Sequence, residues 1–131
     1  MNENETEKAQ SGAARLMARM LKKELFVINN ESVAPPALLA DNLEAHLRYL
    51  ISLEKKGILF ASGPLFAADG QMTGAGLTIV RAASFEEAEK LAKEDPFVIS
   101  GQRRPTVRRW IVNEGRISVS IDLSDTSATL T

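Results

Sequence analysis

The chain holds a single histidine, His46, in the run DNLEAHLRYLISLEKKGILFASGPL at residues 41–65. It lies three residues after Leu43 and seven after Leu39, in a stripe that continues through Leu47, Leu50 and Leu53. That spacing places the imidazole on the inner face of a helix. A buried imidazole without a hydrogen-bond partner loses roughly 1–3 kcal/mol of unmet desolvation, so a partner is expected. With one, it is a proton carrier for general acid–base chemistry near neutral pH. Asp95 has the complementary problem. It precedes Pro96 at the end of a predicted helix, where the negative end of the helix dipole disfavours a carboxylate unless a cation or donor meets it. A nearby imidazole would be such a donor. Ser62, Gly63 and Pro64 lie on the strand after the His46 helix. Proline cannot donate to a sheet ladder and glycine admits close approach, so this trio is expected to interrupt the sheet at a substrate-binding cavity.

Other chemistries fit less well. The chain has no cysteine, which excludes a thiol nucleophile, a disulfide framework and cysteine-ligated metal clusters. One histidine cannot build a three-histidine metal centre, and nothing supports a mixed carboxylate site, so neither metal nor organic cofactor is expected. Ser62 lies near the expected cavity, but no feature shows His46 activating it as a nucleophile. Gly70, Gly74 and Gly76 invite a phosphate-loop reading; no Gly-Lys-Ser/Thr motif and no helix come after them, so the loop is read as structural. Arg103, Arg104, Arg108 and Arg109 could bind an anionic substrate or a phosphate backbone. The balanced charge and the absence of interleaved aromatics favour a solvated loop and strand edge instead.

The elements that must position these residues are set by the hydrophobic pattern. Residues 25–30, LFVINN, read as a strand. Pro35-Pro36 opens a helix that runs to Lys56 and is closed by Gly57. Residues 58–67 form a second strand, 68–74 a hairpin loop around Asp69-Gly70, and 75–82 a third strand. Ser84-Phe85-Glu86-Glu87 is a capping box opening a second helix with Ala88, Leu91 and Ala92 on its inner face. Residues 106–112 and 116–123 are two more strands around Asn113-Glu114-Gly115. The order is βαββαβ with one strand added, an α+β ferredoxin-like pattern. Two helices cover one sheet face, so the other is expected to pack on a second copy.

The chain is 131 residues long, with 44% hydrophobic and 25% charged residues and a net charge of −1. One domain of this size needs no staple to fold, and the balanced charge gives no footprint for nucleic acid or an anionic membrane. No apolar run is long enough for a bilayer, and cytoplasm is the default compartment. Residues 1–10 are polar with nothing to bury and are expected to be disordered; residues 11–24 read as a short amphipathic helix. The organisation expected is a flexible arm (1–23), a folded domain (24–123) and a loose tail (124–131).

These residues together resemble the YCII-related family of dimeric α/β-barrel proteins. The resemblance rests on the His46 helix, the Gly57 turn, Ser62-Gly63-Pro64-Leu65, Asp69-Gly70 and Gly74, Ser84-Phe85-Glu86-Glu87-Ala88, Asp95-Pro96-Phe97 and Trp110-Ile111-Val112-Asn113-Glu114-Gly115. It spans about residues 24–123 and departs at the arm and the final strand. It implies a ferredoxin-like homodimer with a pocket between sheet and helices and a His46–Asp95 pair. It does not imply a settled reaction: the family includes a dehydrochlorinase, and related barrels include muconolactone isomerases and cofactor-free monooxygenases. Two readings remain open. In one, Asp95 orients His46, which moves a proton on a small cyclic or aromatic acid, as a lyase or isomerase without cofactor. In the other, the pair is a satisfied core contact in a non-catalytic dimeric module that binds a small molecule or another protein.

Overall fold

The computed structural model describes residues 12–131; the arm expected at residues 1–10 lies outside the described residues. After a helical stretch at residues 12–18, the chain runs β1 (Lys23–Ser32), a 3-10 helix (Pro36–Asn42), α1 (Leu43–Lys55), β2 (Leu59–Phe66) and β3 (Met72–Val80). It continues with α2 (Phe85–Lys93), α3 (Pro96–Ile99), β4 (Arg103–Val112), β5 (Val119–Asp122) and β6 (Ser127–Leu130). The fold is α+β and ferredoxin-like. Strands β1 to β4 form one sheet in the order β2-β3-β1-β4, with β3 antiparallel to both β1 and β2. Among the described residues no helix is long and apolar enough to cross a membrane.

Two compact units are present, one formed by Lys23–Ile111 and the other by Val112–Thr131 together with the leading segment up to Lys22. In the second unit, β5 pairs antiparallel with β6, from Val119 opposite Leu130 to Asp122 opposite Ser127. The added strand is therefore half of a separate hairpin, and the tail expected to be loose supplies the other half. A chain segment that can satisfy its backbone groups against a close sequence neighbour does not stay open. Leu16, Met17 and Leu21 of the leading segment are exposed; its helix ends at residue 18, short of the expected 24, and β1 begins at Lys23.

In the first unit, strand alternation sorts side chains between two faces. Phe26, Ile28 and Asn30 of β1 are buried, and the register sets them opposite Val80, Thr78 and Gly76 of β3. Phe26, Ile28 and Val80 pack against Ala88 and Ala92 of α2. Small residues on the helix let it sit close to the sheet. Ser84 caps α2 by accepting the Glu87 N–H at 3.1 Å, and the Glu87 carboxylate accepts from the Ala83 N–H at 2.9 Å. The reciprocal cap is thus present, reaching one residue further back than the usual box.

Helix α1 buries His46, Leu50 and Leu53, continuing from Leu39 in the 3-10 turn. The expected stripe is corrected in part: Leu43 and Leu47 are 46% and 47% exposed. Both lie within α1, whose inner row runs i, i+4, i+7 through His46, Leu50 and Leu53; Leu47 is one position, about 100°, round from His46, and Leu43 is in the first turn.

Candidate active site

His46 and Asp95 meet in the core. The imidazole Nδ1 lies 2.8 Å from Asp95 Oδ1, with the two residues 7% and 4% exposed. The same oxygen accepts the Phe97 backbone N–H at 2.9 Å. The expectation that Asp95 occupies the unfavourable end of a helix is corrected here. Helix α2 ends at Lys93, and Asp95 is the N-cap of the short α3, with extended backbone at φ −64° and ψ 127°. Pro96 then takes the first helical position, where its missing N–H leaves nothing unsatisfied. A capping carboxylate is a hydrogen-bond acceptor, so the imidazole donates from Nδ1 and Nε2 is left free of the pair.

Phe97 forms the floor on which the His46 and Arg103 side chains are arranged. The His46 ring stacks on it with centroids 4.2 Å apart and planes 23° from parallel. The Arg103 guanidinium lies 4.7 Å from the centroid of the same ring. The loop that brings these groups together is fastened by Gln102, whose side chain donates to the Leu38 carbonyl and accepts from Asn42 Nδ2 at 3.2 Å and Ser100 Oγ at 3.1 Å. Its backbone carbonyl also accepts the Val33 N–H at 3.0 Å. These bonds tie the turn that starts the His46 helix to the turn that carries Asp95 and Phe97.

A cavity of about 130 Å³ opens beside His46, lined by Leu47, Leu50, Ser62, Gly63, Pro64, Leu77, Thr78 and Arg103. The sheet register explains the membership. Ser62 pairs with Thr78 and Pro64 with Gly76, which brings the β2 trio alongside the β3 residues beneath α1. Strand β2 is an edge strand with register shifts on both sides, between Leu59 and Ala61 and between Pro64 and Phe66. An edge position is where a proline without an N–H is tolerated. The volume is comparable to the ~150 Å³ that takes one benzene ring, so the space suits one small ring. A second cavity of about 10 Å³ is lined by Asn30, Tyr49, Thr78 and Asp95, among others. Asn30 Oδ1 has no hydrogen-bond partner among the described residues, and this space is about the size of one water.

Arg103 is the residue that charge patterning misplaced. The reading of a solvated loop and strand edge holds for Arg104 and Arg109, which are exposed and paired with Glu31 at 2.7 Å and Glu24 at 2.6 Å. Arg103 instead is 7% exposed, and its Nε donates to the Gly74 carbonyl at 2.8 Å. Burial pushes its pKa below the ordinary value, and the charge of Asp95 works in the opposite direction. The signal in the sequence was the glycine pair. Gly74 has φ +82°, which only glycine adopts easily, and a Cβ at Gly76 would lie 2.7 Å from Arg103 Nη1. Gly76 makes room for the Arg103 side chain, while Gly74 lies against Ser32 and Pro36 and supplies the carbonyl that Arg103 meets. No cluster of three or more metal-ligating side chains occurs among the described residues.

Comparison with known proteins agrees with this architecture. Residues 7–111 match the YCII-related domain, and the chain belongs to the YCII-related family. It is also similar to a solved structure, the 5-chloro-2-hydroxyhydroquinone dehydrochlorinase of Burkholderia phenoliruptrix in complex with 2,5-dihydroxybenzoquinone. The two are 30% identical with a TM-score of 0.57, over 66% of this chain and 92% of that one. No protein of curated function matches.

Tyr49, the only tyrosine, lies next to the pair but outside its chemistry. Its hydroxyl donates to the Leu91 carbonyl at 2.7 Å. Burial, and then the charges of Glu94 and Asp95, push its pKa up to about 12. A folded-state value above the unfolded one leaves stability untouched below the unfolded pKa of about 10 and removes it as pH rises through the folded value. Phenolate absorbance of the native protein should therefore titrate near 12. A midpoint near 10.0, the ordinary tyrosine value, in folded protein would contradict this environment.

Proposed function

We propose that the protein is a cofactor-free enzyme in which His46 moves a proton on a small cyclic or aromatic acid and Asp95 orients it. The observation that carries this reading is the 2.8 Å His46–Asp95 contact at the edge of a ring-sized cavity. With Nδ1 held by the carboxylate, Nε2 takes a proton from an acidic position of the ring. The electron pair left behind expels a leaving group from a neighbouring atom, giving elimination, or is reprotonated elsewhere, giving isomerisation. The proton on Nε2 passes to solvent or back to the ring. Ser62, Gly63 and Pro64 would form the wall against which the substrate lies. Similarity to a dehydrochlorinase that binds a dihydroxybenzoquinone favours elimination and a hydroxylated ring. The competing reading, a binding or interaction module with His46–Asp95 as a core contact, draws on the near-complete burial of both residues.

Release of chloride from 5-chloro-2-hydroxyhydroquinone, monitored alongside turnover of related small ring acids, separates the two. His46→Asn should lower turnover by roughly a hundred- to ten-thousand-fold while leaving the circular dichroism spectrum intact. Loss of stability in that variant, with no turnover by the unaltered protein, would favour the binding module.

We also propose that the uncovered sheet face joins two copies. Strand alternation puts Val27 and Ile79, which pair with each other, on the face opposite the helices, and both are only half-buried. Light scattering should give a dimer or a multiple of it at micromolar concentration. A monomer would remove the shared-barrel arrangement.

A further inference from the structure

We propose that Arg103 is the anion anchor of the His46 cavity, its terminal guanidinium nitrogens holding an acidic oxygen, carboxylate or phenolate, of the ring on which His46 acts. This deepens the proton-transfer reading and rests on it for the position of the reacting atom, though not for the binding itself.

Four observations lead here. Arg103 is only 7% exposed, yet among the described residues it makes no ion pair within salt-bridge distance, whereas the exposed Arg48, Arg104 and Arg109 each do. A buried charge without a bonded counter-charge is unfavourable, and an anionic ligand supplies the missing partner. The carboxylate of the site, Asp95, already accepts from His46 and from the Phe97 N–H. Next, only Nε is engaged within the fold, by the Gly74 carbonyl. The planar fork therefore keeps its two terminal nitrogens for a ligand, the arrangement suited to a bidentate carboxylate. Third, Arg103 lines the same cavity as His46, and both groups lie against the Phe97 ring. The ring holds the two for different tasks on one small molecule. Finally, Gly76 clears the space the guanidinium occupies, since a Cβ there would fall within 2.7 Å of Nη1. Among the described residues neither terminal nitrogen has a protein hydrogen-bond acceptor, and the residue lines the cavity.

The test uses the full chain and two probes of one shape and different charge, benzoate and benzamide, titrated by NMR into the unaltered protein, Arg103→Lys and Arg103→Met. The unaltered protein should bind benzoate more tightly than benzamide. Arg103→Met should weaken benzoate by roughly tenfold or more and change benzamide less than about twofold, with Arg103→Lys between. Equal weakening of both probes would assign Arg103 a structural role and overturn the proposal. So would benzoate binding that is unchanged in Arg103→Met, or an unaltered protein without preference for the anion. If Arg103→Met does not fold, the charge preference of the unaltered protein and its reduction in Arg103→Lys decide, and an undiminished preference in Arg103→Lys, or none in the unaltered protein, overturns the proposal. His46→Asn separates this from the enzymatic reading. A charge preference that survives in that variant, in a protein with no turnover of any ring acid, removes the proton-transfer role and leaves the anchor standing.

Discussion

Much of the first unit is arranged around one shared oxygen. Asp95 Oδ1 accepts from the His46 imidazole and from the Phe97 backbone N–H at once. The first bond joins α1 to the loop after α2, and the second starts the helical turn that brings Phe97 under both His46 and Arg103. Removing the carboxylate would free the imidazole orientation and uncap α3 together. Truncating one partner of a buried hydrogen-bonded pair costs about 1–3 kcal/mol, mostly because the other is left unsatisfied. The pair therefore has a structural role whatever its chemistry. Its chemistry depends on the cavity that reaches the histidine from β2 and β3.

That cavity is a product of conflict between sheet and sequence. A regular β2 would close against β3 along its whole length. Pro64 removes a donor, Gly63 removes a side chain, and the register shifts around them leave space beneath α1. On β3, Gly76 yields space to the Arg103 guanidinium and Gly74 offers it a carbonyl. Positions that weaken a strand are clustered on the two strands that border His46, and beside them is a hollow of one ring's size with His46 and Arg103 on its wall. Stability is recovered elsewhere, in the Phe26, Ile28 and Val80 packing on α2.

The elements and their order were legible because the hydrophobic periods are clean and the punctuation is strong: Gly57 ends α1, the Ser84 cap opens α2, and Asp69-Gly70 turns the hairpin. His46 was legible as a core histidine from its spacing alone. Its partnership with Asp95 was reached partly through a mistaken premise, since the carboxylate is a helix cap and not a helix terminus under strain. Asp-Pro can open a helix as well as close one, and α3, only 4 residues long, is too short to show a hydrophobic period that would decide between the two. Arg103 escaped because charge counting treats neighbouring arginines alike, whereas the space left by Gly76 and the carbonyl of Gly74 on another strand single one of them out. The C-terminal hairpin escaped because residues 127–130 lack the apolar density of a core strand, and their pairing is satisfied by backbone bonds near the surface.

The central claim is that Asp95 holds His46 with its proton on Nδ1, leaving Nε2 to the cavity. Because the chain contains one histidine, nitrogen NMR of the imidazole reports on this residue without ambiguity. In the neutral ring the account predicts a protonated, pyrrole-type Nδ1 and a bare, pyridine-type Nε2, with the preference lost in Asp95→Asn. A ring protonated on Nε2, or one averaging freely between the two tautomers in the unaltered protein, would contradict it.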